Sequence, residues 1–144
     1  MKQNIPEVKN IGPREAWELL QRDPRALLVD IRSNIEFLFV GHPIGAVHIP
    51  WIDEPDWDIN PHFVTDIRKL ILGGLSHDEP RASAPIILIC RSGKRSLEAG
   101  RVLLAAGFQE IYHVDEGFEG DLDEHHHRSS RGGWRYHGLP WEQC

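Results

Sequence analysis

The sequence is short of cysteine, of net positive charge and of long apolar runs, and each shortage removes a class of protein. Two cysteines, Cys90 and Cys144, among 144 residues cannot build a disulfide-rich scaffold. They also fall short of a four-thiolate zinc site, so only mixed histidine–cysteine ligation stays open. Sixteen Lys+Arg against 22 Asp+Glu leave a formal net charge of −6. That balance argues against broad binding of nucleic acid or anionic membrane, which needs a basic surface. The longest apolar runs, such as Leu27-Leu28-Val29 and Ile86-Ile87-Leu88-Ile89-Cys90, are far too short to span a bilayer. No apolar stretch of signal-peptide length follows Met1-Lys2-Gln3-Asn4-Ile5-Pro6. The expectation is a cytoplasmic protein whose thiols stay reduced and unbridged. No internal repeat occurs, and no linker splits the chain.

What is present suits one globular domain: 40% apolar and 26% charged residues are ordinary proportions, and this length supports one hydrophobic core. The chain reads as a single domain over 1–144, with a core at about 8–120 and an extended C-terminal segment, 121–144. Pro13 fits a first helical position, and Ala16, Trp17 and Leu20 then fall on one face of a helix that Asp23-Pro24 ends. Ala26–Asp30 reads as a buried strand, apolar throughout as in a parallel sheet covered on both faces. Ser33 and Glu36 have capping-box spacing before a brief helix. Gly45–Pro50 suggests a short strand, and Asn60-Pro61 caps a helix through Leu72. Gly73 to Pro85 is a polar loop. Ile86–Ile89 is the clearest strand, followed by a helical stretch that Gly107 closes. Ile111–Val114 is the expected last strand, and the tail from Glu116 reads as mostly irregular. Alternating strands and helices imply an α/β fold with a mostly parallel central sheet flanked by helices on both faces.

The main functional signal is Cys90, which leaves the carboxyl end of a central strand and enters the loop before a helix, where open parallel sheets place their ligand sites. The loop N–H groups and the helix N-terminus supply partial positive charge. Arg91, Lys94 and Arg95 add three cations within five residues. That field favours thiolate over thiol and attracts a small anion. Gly93 lets the loop bend tightly. A cysteine after four apolar residues is otherwise often a buried small hydrophobe, but such a residue has no need of the cations that follow.

Cys90-Arg91-Ser92-Gly93-Lys94-Arg95-Ser96 resembles the active-site loop of the rhodanese, or thiosulfate sulfurtransferase, family. Val29-Asp30-Ile31-Arg32 is similar to its Asp-x-Arg strand end, and Gly41–Pro50 to its Gly-His-Ile-Pro-Gly-Ala segment. Leu104–Phe108, Glu116–Gly120 and Gly138-Leu139-Pro140-Trp141 resemble its later signatures in order. Pro43-Ile44 reverses the family's order, Glu116 stands where a glycine is common, and Gly120–Gly133 is longer than a minimal member needs. The resemblance implies a rhodanese-like domain and a double displacement. The Cys90 thiolate would take a sulfane sulfur from a small anionic donor such as thiosulfate, and the persulfide would pass it to cyanide or to a small-molecule or protein thiol. Arg91, Ser92, Gly93, Lys94 and Arg95 would bind the donor. No metal or organic cofactor is implied, and no general base if the thiolate is pre-formed. A monomer is expected.

Two other functions fit parts of the pattern. A cysteine phosphatase needs five residues between Cys and Arg, which would put arginine at 96, where Ser96 stands; Arg95 follows after only four. A persulfide carrier or partner-binding module would keep the same loop. Elsewhere, Asp30 and Arg32 read as a brace, His42 and His48 as structural, and His125-His126-His127 as a solvated run rather than a metal site. Trp51, Trp57, Trp134 and Trp141 read as core or lid residues, and Cys144 as a spectator.

Overall fold

The structure, a computed structural model, describes residues 7–73 and 84–144. The N-terminal residues 1–6 and most of the polar loop expected between Gly73 and Pro85 lie outside the described residues. In chain order the elements are β1 (Lys9–Ile11), α1 (Pro13–Arg22), β2 (Leu27–Asp30), a π-helical turn (Glu36–Val40), β3 (His42–Pro43) and β4 (Val47–His48). There follow α2 (Phe63–Gly73), β5 (Ile86–Ile89), α3 (Lys94–Ala105), β6 (Ile111–Val114) and β7 (Trp141–Glu142). Five strands form one sheet in the order β1-β6-β5-β2-β4, and every adjacent pair is parallel.

Helices cover both faces of this sheet, which explains the unbroken apolar strands. Pro13 opens α1, whose Ala16 and Leu19 are buried against Leu28, Ile87 and Ile89. On the other face, Phe63, Ile67 and Ile71 of α2 and Ala99 and Leu103 of α3 pack on Val29, Ile86, Leu88 and Ile111. Alternate residues of β5 therefore enter opposite cores, and all four are buried.

Local signals in the sequence act at the expected places. The Glu36 backbone N–H donates to Ser33 Oγ at 3.3 Å, while the Ser33 N–H donates to Glu36 Oε1 at 3.2 Å. This reciprocal pair is a capping box, and the brief helix it opens widens into the π-helical turn. Before α2, the His62 N–H donates to Asn60 Oδ1 at 2.9 Å.

Three of the described strands, β1, β3 and β7, have no sequence signal. β1 has two exposed residues and one buried residue, too little for a period of two to show. β7 pairs antiparallel with β3, a contact between segments nearly 100 residues apart. The tail from Glu116 is otherwise built of turns, but it is anchored. Trp134 is fully buried among Ile11, Ile89, Phe118 and Leu139. Its ring meets Trp17 edge-on at 6.1 Å, and its Nε1–H donates to the Pro140 carbonyl at 2.8 Å. An indole buries roughly 150–250 Å², or about 4–6 kcal/mol at ~25 cal/mol per Å², which holds this segment to the sheet.

Candidate functional site

Cys90 lies one residue beyond β5 and is 1% exposed. The chain then turns back over the sulfur into α3. The Gly93 N–H reaches Sγ at 3.1 Å and the Ser96 N–H at 3.3 Å. Gly93 takes φ +99°, and a Cβ there would overlap the Asp115 carbonyl oxygen, so a glycine is required for the loop to close.

A second turn holds the first. The Cys90 carbonyl accepts the Phe118 N–H at 2.8 Å, and the Arg91 carbonyl accepts the N–H groups of Glu119 and Gly120 at 2.9 and 3.2 Å. Tying these carbonyls outward leaves the loop N–H groups facing the sulfur. Gly117 makes this approach possible, because a Cβ there would collide with the Arg91 backbone. Glu116, where a glycine is common in the resembled pattern, accepts the Gly133 N–H at 3.0 Å and the His137 Nε2–H at 2.9 Å. It thereby fastens this turn to the C-terminal segment.

The cations of the loop divide. Arg91 is exposed and, with Arg95, lines an open cavity of about 490 Å³ together with Ser33, Ile35, Glu36, Val40, Trp57, Glu119 and Arg128. Arg95 donates to both carboxylate oxygens of Glu36 at 2.9 Å each. Burial pushes the Glu36 carboxyl up, but the Arg95 bonds and charge and the Ser33 donors outweigh it and hold the group at about 2. Lys94 is exposed on the first turn of α3 and does not line that cavity. The sequence marks neither Glu36 nor Arg128 for this cavity, and Cys90 itself does not line it. The capping-box spacing marked Glu36 for another role, whereas nothing in the sequence placed Arg128 there. A more apolar hollow between α2 and the end of α3, lined by Arg68, Ile71, Leu72 and Phe108, carries no nucleophile.

Asp30 and Arg32 brace the neighbouring strand end. Arg32 Nε donates to Asp30 Oδ1 at 2.9 Å and Nη2 to Oδ2 at 2.6 Å, and Nη2 also reaches the Gly41 carbonyl. Both side chains have no exposed surface, and the Phe118 ring lies 4.4 Å from the guanidinium. His42 and His48 stack on the two sides of Phe37 at 3.7 and 4.3 Å. His125 and His127 are exposed, and their backbone N–H groups donate to Asp123. Among the described residues, no cluster of three or more His, Cys, Asp or Glu has metal-binding geometry. Both cysteines are free, and Cys144 is exposed. Among the described residues no helix is long and apolar enough to cross a membrane.

The sequence model of the Rhodanese-like domain matches residues 12–124, and the chain belongs to the rhodanese family. The solved structure of Rv0390 from M. tuberculosis is 39% identical, with a TM-score of 0.80 over 96% of this chain and 99% of that one. The thiosulfate sulfurtransferase GlpE of Pseudomonas putida is 34% identical over 116 residues, covering 80% of this chain and 86% of its own. An uncharacterized protein of Rickettsia rickettsii is 28% identical over 94% of this chain and 98% of its own.

Proposed function

We propose that the protein is a sulfurtransferase that carries a sulfane sulfur on Cys90, moving it from thiosulfate or a related anion to cyanide or a thiol. The observation that carries this reading is the convergence of the Gly93 and Ser96 N–H groups on Sγ, at a strand end whose next residue, Arg91, lines an open cavity with Arg128. The Cys90 thiolate attacks the outer sulfur of the donor. The S–S bond breaks and sulfite leaves with its electron pair. The resulting persulfide anion lies against the same N–H groups, which favour negative charge there. Cyanide then attacks the outer sulfur, thiocyanate departs, and the thiolate returns. Arg91 and Arg128 guide the anion to that cavity, while Arg95, neutralised by Glu36, sets the loop. A reducing compartment such as the cytoplasm keeps the thiol available.

The test is intact-mass measurement after thiosulfate treatment, with thiocyanate formation followed in parallel. A gain of one sulfur that is lost in Cys90→Ala supports the reading, and no gain in the parent protein overturns it. Phosphate release from an aryl phosphate without sulfur uptake would point to phosphatase chemistry instead. Sulfur uptake that cyanide cannot discharge, but a protein thiol can, would indicate a persulfide carrier.

A further inference from the structure

A thiol buried as deeply as Cys90 needs somewhere to put its proton. The Gly93 and Ser96 backbone N–H groups stabilise the thiolate once formed, but they cannot take a proton from it. The Ser96 hydroxyl can: it lies 3.4 Å from Sγ and accepts the S–H. Ser96 Oγ is in turn 3.0 Å from Nδ1 of His113, and Nε2 of that ring meets Asn10 Oδ1. Cys90, Ser96 and His113 are 1%, 0% and 4% exposed. They come from the β5 end, the first turns of α3, and β6. Asn10 stands beside His113 in the β1–β6 register.

The hydrogen-bond inventory fixes the direction of this chain. Asn10 Oδ1 can only accept, so Nε2 keeps its proton and the neutral ring offers a bare lone pair at Nδ1. The Ser96 O–H then donates to Nδ1, leaving Oγ free to accept from the Cys90 thiol. We infer that Cys90, Ser96 and His113 form an internal proton relay, in which the thiol proton passes to Ser96 Oγ as the serine proton passes to His113 Nδ1. The S–H, O–H and N–H bonds exchange without any change of oxidation state. The products are a thiolate and an imidazolium, with the serine hydroxyl now donating to sulfur and Nδ1–H donating to Oγ. The reverse transfer returns the proton when the thiolate is discharged. His113 acts through Ser96 and is a positioning residue for the proton.

The surrounding charges suit a ring that starts neutral. Burial lowers the proton affinity of His113, Asp115 at the end of β6 raises it, and Arg101 of α3 lowers it again. On the sulfur side, Arg95 of α3 feels the charges of Glu36, Cys90 and Asp30, and Arg32 neutralises Asp30. The relay deepens the reading of Cys90 as the sulfur carrier and rests on it. Its test involves no sulfur donor, so the two fail separately.

In a Cys144→Ser background, the ultraviolet thiolate absorbance is followed against pH. His113→Asn retains an acceptor for the Ser96 hydroxyl but cannot take a proton. It is expected to lower the thiolate-to-thiol ratio at neutral pH about tenfold, the scale of a coupled acceptor. Ser96→Ala should do the same, the double variant should lose no more than either alone, and Ser96→Thr should restore the parent curve. A His113→Asn curve superimposed on the parent overturns the relay. Should that variant fail to fold, ¹⁵N NMR of the His113 ring gives the answer in the parent and in Cys90→Ala. The relay requires the ring titration to move when the thiol is removed; identical titrations overturn it.

Discussion

The ends of β2 and β5 lie side by side in the sheet, Asp30 opposite Ile89, and they make opposite use of charge. At the β2 end, Asp30 and Arg32 neutralise each other with no solvent contact. At the β5 end, the Cys90 sulfur sits beneath backbone donors while Arg91 remains exposed at the rim of an open cavity. One strand end satisfies its charges internally, and the other leaves one of them open to solvent. The Glu36–Arg95 pair joins the two, half-buried: it ties the turn after β2 to the first turn of α3. Arginine therefore holds the fold at one position and faces solvent at the next, and burial decides which.

The sharpest way to break this contrast is at the sulfur. Cys90→Ser should reduce thiocyanate formation at least ~10³-fold, as for removal of a nucleophile, while shifting unfolding free energy by less than about 1 kcal/mol. Undiminished activity would remove Cys90 from the chemistry. The converse is Arg32→Met, which leaves the Asp30 carboxylate buried without its partner. A loss of about 3–5 kcal/mol in denaturant unfolding is expected, against about 1 kcal/mol for Arg95→Met, whose partner retains water. Equal losses would erase the distinction between brace and rim.

Gly93→Ala should cost about 1–3 kcal/mol, since the left-handed backbone and the Asp115 carbonyl both oppose a Cβ. Activity should fall further than stability, because the loop N–H groups are displaced from sulfur. The pH dependence tests the linking pair. The Glu36 carboxyl titrates from 4.5 in an unconstrained chain down to about 2 in the fold. The unfolded chain therefore binds the proton first as pH falls, and the stabilisation, complete above about 4.5, is lost on the way to about 2. Glu36→Gln should flatten that part of the acid-unfolding profile. The smallest effect is expected at the rim. Arg91→Ala should raise KM for an anionic donor about 3–10-fold and leave kcat nearly unchanged, with the difference shrinking in high salt, because screening removes the long-range attraction.

Much of this architecture is legible in the residue order. Unbroken runs such as Ile86–Ile89 announce strands buried on both faces, Pro13 opens a helix, and Ser33 with Glu36 has the spacing of the cap it forms. The thiol, the following glycine and the cations are contiguous, so one segment reveals the candidate nucleophile and its loop. β1 escaped because three residues with a single buried side chain carry no periodicity. Arg128 and His113 escaped because they lie 38 and 23 positions beyond Cys90, and no local pattern encodes such a meeting. The opposite limitation applies to Lys94 and Arg95. Both follow Cys90 closely in sequence, yet they meet different fates: Lys94 faces solvent and Arg95 pairs with Glu36.

Residue order alone determined the parallel α/β class, the position of Cys90 at a strand end and the glycine that lets its loop turn, because each follows from side-chain period, covalent proximity or backbone freedom. Tertiary structure decided which loop cation remains exposed at the rim of the cavity, that Trp134 anchors the C-terminal segment, and that Ser96 and His113 stand in line behind the sulfur. Those outcomes depend on which distant groups are packed together and how completely water is removed from between them, and neither is a property of neighbouring residues.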